Sequence, residues 1–127
     1  MLKFTRYAAA VSLVLMTLTT GCSGLDQLQG KSSASKVALA KHLKQSGVIL
    51  YGSPWCSHCN RLKKTFGKEA FTQLNYIECE GKNGRPEVCQ KANITAIPAW
   101  EIKDRQYLGI SLEELADLSG YKGDRNF

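Results

Sequence analysis

Apolar positions along this chain follow two periods, and the switches between them mark its elements. Val48-Ile49-Leu50-Tyr51 is an unbroken β-branched and aromatic run stopped by Gly52, Ser53 and Pro54, which predicts a buried strand. Cys59, Leu62, Phe66 and Ala70 then recur at helical spacing, with Arg61, Lys63, Lys64 and Lys68 in the polar positions. That pattern predicts a basic amphipathic helix, kinked or broken at Gly67. Upstream, Leu39, Ala40 and Leu43 share one face of a short helix from Lys36 to Gln45, closed by Gly47, with His42 on the other side as an isolated surface histidine. Downstream, Tyr76-Ile77-Glu78-Cys79 reads as a second strand, and Pro86-Glu87 opens a helix with proline in its first turn. Val88 and Ala92 are its apolar positions and Asn93 its left-handed cap. Pro98-Ala99-Trp100-Glu101-Ile102 and Gln106-Tyr107-Leu108-Gly109, parted by the polar turn Lys103-Asp104-Arg105, predict a β-hairpin. Ser111 with Glu114 three residues on is a capping box that starts a last helix, with Leu112, Leu115 and Ala116 inward and Gly120 at its end. The tail from Tyr121 to Phe127 is expected to fray. From Val48 the order is β-α-β-α-β-β-α, without an internal repeat.

Length bounds the picture: 127 residues hold one domain, with a modest core. The net charge of +6 drops to +4 without Lys3 and Arg6, and the surplus is scattered. It reads as a solvated basic face, with contact to anionic headgroups or acidic partners as the sharper alternative. No arginine-rich stripe with interleaved aromatics points to nucleic acid.

The first 21 residues change the picture more. Lys3 and Arg6 precede an uncharged apolar and hydroxylic stretch, Ala8 to Thr20, too short to span a bilayer comfortably. Residues 1–21 therefore read as a signal peptide. Leu18-Thr19-Thr20-Gly21-Cys22 resembles the lipobox of bacterial lipoproteins, which implies lipidation of Cys22 and a membrane anchor. The match departs at Thr19, where that family usually has leucine; simple cleavage and release, or an uncleaved anchor, are the alternatives. Residues 22–35, rich in Ser, Gly and Gln, read as a flexible tether, residues 36–121 as the folded domain, and 122–127 as tail. With such a leader, the sequon Asn93-Ile94-Thr95 is not read as a glycosylation site.

Candidate chemistry centres on Trp55-Cys56-Ser57-His58-Cys59, where strand gives way to helix. Cys56 then stands at or just before a helix N-terminus, where unpaired N–H groups and the helix dipole favour a thiolate, and nearby basic groups and a protonated His58 add to this. Cys59, one turn in and on the inward face, can close a disulfide with Cys56 or resolve a mixed disulfide. A C-x-x-C between strand and helix is the redox arrangement of thioredoxin-like proteins. The competing class is metal binding, with Cys56, Cys59, Cys79 and Cys89 as a Cys₄ zinc site. The nine residues between the last two fit that poorly, since two to four are usual. An inert lipoprotein with two disulfides is a third reading.

With the element order, the C-x-x-C and the Ile97-Pro98 pair, the chain resembles the thioredoxin superfamily from Val48 to Gly120. More narrowly, Tyr51-Gly52-x-x-Trp55-Cys56-x-His58-Cys59, Tyr76-Ile77-Glu78-Cys79, Ile94-Thr95-x-x-Pro98-x-Trp100 and Ser119-Gly120-Tyr121 resemble the thioredoxin-like domain fused to bacterial and plastid homologues of vitamin K epoxide reductase. The resemblance implies an α/β, thioredoxin-like fold with a central mixed sheet flanked by helices and an extra N-terminal helix. It implies Cys56 as attacking and Cys59 as resolving cysteine, with Trp55, Ser57 and His58 supporting them. Pro98 is implied to be cis, with Ile97 before it offering backbone to substrate; an ordinary trans proline on an edge strand is the plain alternative. Cys79 and Cys89 are implied to form a structural disulfide, stabilising by about 2–3 kcal/mol through loop closure; separate thiols or a second redox relay are the alternatives. The implied activity is thiol-disulfide exchange on exported protein thiols, needing no cofactor, in a protein expected to be monomeric and to face the periplasm or an equivalent lumen. The electron acceptor would be a separate vitamin K epoxide reductase-like membrane protein. Ser57-His58 resembles the Pro-His of strong oxidants rather than the Gly-Pro of reducing thioredoxins, which favours oxidation over reduction or isomerisation. One departure stands out: Leu50 occupies the place where thioredoxins carry a buried acid. Glu78 on the neighbouring strand, or water, is the candidate substitute, with Glu78 as a plain solvent-facing strand residue the alternative.

Overall fold

The computed structural model describes residues 32–127. The expected signal peptide, Cys22 with its expected lipidation, and most of the expected tether lie outside the described residues. Among those described, no helix is long and apolar enough to cross a membrane.

The elements run α1 (Ala34–Gln45), β1 (Ile49–Gly52), α2 (Ser57–Phe66), α3 (Lys68–Phe71), β2 (Asn75–Glu78), α4 (Pro86–Lys91), β3 (Ala99–Ile102), β4 (Arg105–Leu108) and α5 (Leu112–Ser119). The four strands form one mixed sheet in the order β2-β1-β3-β4. β1 pairs β2 in parallel, across the α2–α3 crossover, and pairs β3 antiparallel, while β3 in turn pairs β4 antiparallel. The expected order and the extra leading helix are both present.

The sheet has a packed face on each side because neighbouring strand residues point opposite ways. Leu50 goes to the larger core, with Leu39, Leu43, Phe66, Trp100, Ile102 and Leu115. Tyr51 goes to the smaller one, with Cys89, Ala99, Ile77 and Ile97. An unbroken apolar strand, rather than an alternating one, follows from burial on both faces. Phe66, Leu39, Leu43 and Leu115 are essentially without solvent contact, and each contributes roughly 1.5–3 kcal/mol by leaving water.

Several boundaries differ from the sequence reading. The first helix starts at Ala34, two residues early, because Ser33 caps it by accepting the Lys36 N–H at 3.3 Å. Ser32 and Ser35 are buried, and the Ser32 hydroxyl accepts the Ala70 N–H at 2.9 Å. Gly67, at φ 80°, ends α2 outright, so Ala70 belongs to the separate turn α3. His42 is half-buried rather than a loose surface group: Nε2 is 2.9 Å from the Ser119 carbonyl, and its ring lies 5.3 Å from that of Tyr121. The tail does not fray. Arg125 donates to the Asp117 carboxylate at 2.7 Å and to the Tyr121 carbonyl at 3.1 Å, the Asn126 carbonyl accepts from Ser35, and Phe127 packs on the larger core. The two ends of the described chain therefore brace each other. The capping box forms as expected, and its N–H and O–H donors at Ser111 hold the Glu114 carboxyl below the usual range.

Candidate active site

The site grows from the end of β1. Gly52 passes the chain close to its neighbours: a Cβ there would lie 2.8 Å from the Tyr76 hydroxyl oxygen and 3.2 Å from Cys59 Sγ. Its carbonyl accepts the Cys79 N–H at 2.8 Å. Ser53, fully buried, fixes the turn that follows. Its hydroxyl donates to Glu80 Oε2 at 2.8 Å and accepts the Trp55 N–H at 3.2 Å. Pro54 and Trp55 carry the chain outward, leaving Trp55 77% exposed just before Cys56.

Cys56 is the N-cap of α2. Its Sγ accepts the Cys59 N–H at 3.1 Å, satisfying one of the free donors of the first turn. This is also where helix dipole and donor together favour negative charge. On its other side Sγ lies 3.9 Å from the Ile97 carbonyl, and the Ile97–Pro98 peptide is cis. Cys56 is partly exposed and Cys59 is 2% exposed, and both are free thiols. Burial, then the hydrogen bond from its own thiol to Cys56, pushes the Cys59 thiol up to about 11, against smaller downward pulls from the Ser53 backbone and Lys63. One sulfur meets solvent; the other is held back.

Beside this pair runs a groove of about 400 Å³ lined by His58, Arg61, Leu62, Ile97, Pro98 and Leu108, among others. Ser57 opens α2, and His58 sits on the exposed side of its first turn. Cys79 and Cys89 are joined in a disulfide, with Cα atoms 5.7 Å apart, against the smaller core. That bond takes two of the four sulfurs that a Cys₄ zinc site requires. Leu50 is buried apolar core, and no charge stands at its position. Glu78 is half-buried rather than solvent-facing, and its carboxylate lies 3.9 Å from Lys63 Nζ.

No family model matches the chain. Over 105 residues, 78% of this chain and 28% of the relative, it is 42% identical to "Thiol-disulfide oxidoreductase LTO1" of Arabidopsis thaliana. Over 133 residues, 98% of this chain and 34% of the relative, it is 24% identical to "Thioredoxin domain-containing protein C13F5.05, mitochondrial" of Schizosaccharomyces pombe. The chain has a thioredoxin-like fold. The relatives support a place in the thioredoxin superfamily, and the chain spans about a third or less of the length of either.

Within this fold the sequence reading passed over three side chains at the site. From the pattern alone Ser53 is only a strand breaker and Lys63 only a polar helix position. Tyr76 was read as a strand residue, yet its hydroxyl is buried beside Cys59 without a hydrogen-bond partner. The pattern Gly52-x-x-x-Cys56-x-x-Cys59 held a signal for it, since glycine at a strand end often marks close approach by a neighbour.

Proposed function

We propose that this protein is a thiol-disulfide oxidoreductase that donates the Cys56–Cys59 disulfide to exported protein thiols. The observation that carries this reading is the setting of Cys56 Sγ, an N-cap sulfur receiving a backbone N–H and facing the carbonyl before a cis proline. The 42% identical relative named for the same activity supports it. In the donating direction a substrate thiolate attacks Cys56 Sγ, the Cys56–Cys59 bond breaks, and its electron pair goes to Cys59. A second substrate thiolate then attacks the mixed disulfide and Cys56 leaves as thiolate. The substrate loses two electrons, the cysteine pair gains them, and the two protons lost by the substrate thiols reach Cys56 and Cys59 through solvent. Exposed Trp55 and the groove beside Pro98 offer an apolar seat for an extended polypeptide, with the Ile97 backbone alongside.

The pair is re-oxidised, on this reading, by a vitamin K epoxide reductase-like membrane protein, and a lipid on Cys22 holds the domain at the membrane on the exported side. Label from palmitate is expected on the wild-type chain and absent after Cys22→Ala; label retained by that variant would remove the anchor. Redox titration of the Cys56–Cys59 couple tests direction. A midpoint near that of strong periplasmic oxidants, about −120 mV, supports the donor, and one near thioredoxin's, about −270 mV, would make the protein a reductase. Reduction or isomerisation in the same compartment is the second reading, since the same thiol pair and groove serve either direction.

A further inference from the structure

The Tyr76 side chain is placed oddly for a purely structural residue. Its ring has good company: it meets Phe71 edge-on, centroids 5.0 Å apart, and carries Lys63 Nζ over its face at 4.7 Å. Its hydroxyl has none. The oxygen is buried and unpaired, and it lies with Cys59 Sγ around a single point above Gly52, 2.8 and 3.2 Å from it respectively. A phenylalanine would keep every ring contact and leave no buried polar group unmatched, an arrangement that folding alone would favour.

The missing partner is supplied by the reaction. In the dithiol, Cys59 offers Tyr76 only a neutral sulfur, a weak acceptor. Whenever Cys59 leaves or attacks, it carries a full negative charge in a place only 2% exposed to solvent. The charged and titratable groups that act on it are Cys56 at the helix cap, Lys63 on α2 and Tyr76 on β2; Glu78, further along β2, faces Tyr76 and lies 3.9 Å from Lys63. Glu78 carries the wrong sign to help. Leu50, on the strand beneath, brings no proton or charge. A donor already fixed where charge develops stabilises it without reorganising.

We propose that the Tyr76 hydroxyl is the hydrogen-bond donor to the Cys59 thiolate, formed only while Cys59 departs from or attacks the Cys56 sulfur. The proposal rests on the exchange reading given above. Burial and the charges of Cys59 and Glu78 hold the phenol well above its ordinary range, so it stays protonated and donates without giving up its proton. The proton that finally neutralises Cys59 comes from solvent.

A single-turnover reaction separates the two sulfurs. Reduced protein is mixed with an aromatic disulfide whose released thiolate is coloured. Attack by Cys56 frees one coloured thiolate; attack by Cys59 on the resulting mixed disulfide closes Cys56–Cys59 and frees the second. Tyr76→Phe is expected to leave the first phase unchanged, to keep or raise the melting temperature, and to slow the second phase roughly tenfold or more, as removal of a hydrogen bond to a charged group would. The log of the second rate should rise with pH in both proteins, the variant's line lying parallel and below. A second phase unchanged in Tyr76→Phe, both phases slowed alike, an earlier melting temperature, or slowing by Lys63→Met alone would each overturn the proposal. A wild-type protein that frees no coloured thiolate would instead sink the exchange reading itself.

Discussion

The two cysteine pairs lie close together and differ in state, one bonded and the other free. Cys79 N–H donates to the carbonyl of Gly52, and Cys56 follows only four residues after that glycine. Cys79 and Cys89 are ten positions apart, bonded, and packed with Tyr51, Ala99 and Ile97. Cys56 and Cys59 are three apart and free, one at a helix cap facing outward and the other inside the turn. The difference is not one of sulfur chemistry. A long loop gives a bond that restrains the unfolded chain, whereas a helix terminus gives a sulfur with donors and access. Spacing alone would not have sorted them; placement relative to the helix ends does.

The sharpest way to break this comparison is to remove one sulfur from each pair. Cys56→Ser is expected to reduce thiol-disulfide exchange to background while the protein melts normally. Exchange that survives would mean that Cys79–Cys89 carries electrons. Conversely, Cys79→Ala with Cys89→Ala is expected to keep exchange within about twofold and to cost about 2–3 kcal/mol in urea unfolding, from loss of a ten-residue loop closure. Lost activity with unchanged stability would reverse the assignments.

Subtler is the pH dependence. Folding raises the Cys59 thiol from 9.0 to about 11, chiefly by burial. Below pH 9 the group is protonated in both states and its contribution to stability is intact. As pH rises towards 11 the unfolded chain releases the proton first, so stability falls. Reduced protein should show this loss in chemical denaturation. Oxidised protein, in which Cys59 does not titrate, should lack it; parallel curves would show that burial is not what holds the second sulfur back. The smallest expected effect is at His58. A basic side chain on the exposed side of the first turn favours the reduced form, so His58→Ala should lower the reduction potential of the pair. An unmoved potential would leave the helix terminus as the sole cause.

Much of this was legible in the residues. The strand–cysteine–helix sequence around Val48 to Phe66 follows from a continuous apolar run giving way to helical spacing, and the fold's order could be read from Val48 onward. The capping box at Ser111 and the hairpin turn, with Lys103 and Asp104 both at positive φ, are local enough to be written in neighbouring residues. What escaped is what depends on distant partners. His42 meets Ser119, Asn126 meets Ser35, and the hydroxyl of Tyr76 meets the surroundings of Cys59 only after β1 and β2 pair in parallel, with Tyr51 opposite Ile77 and Gly52 opposite Glu78. Single-residue patterns carry no such register. Gly67 could be read as a kink or a break; its φ of 80° decides for a break, and beyond it Ala70 donates its N–H to the distant Ser32 hydroxyl.

The central claim is that Cys56 alone receives the substrate sulfur. Cys59→Ser protein, incubated with a cysteine-containing peptide disulfide and digested without reduction, reports it by mass spectrometry. The expected product is a peptide adduct on Cys56, with Cys79–Cys89 still joined. An adduct on Cys79 or Cys89, or none at all, would contradict the account.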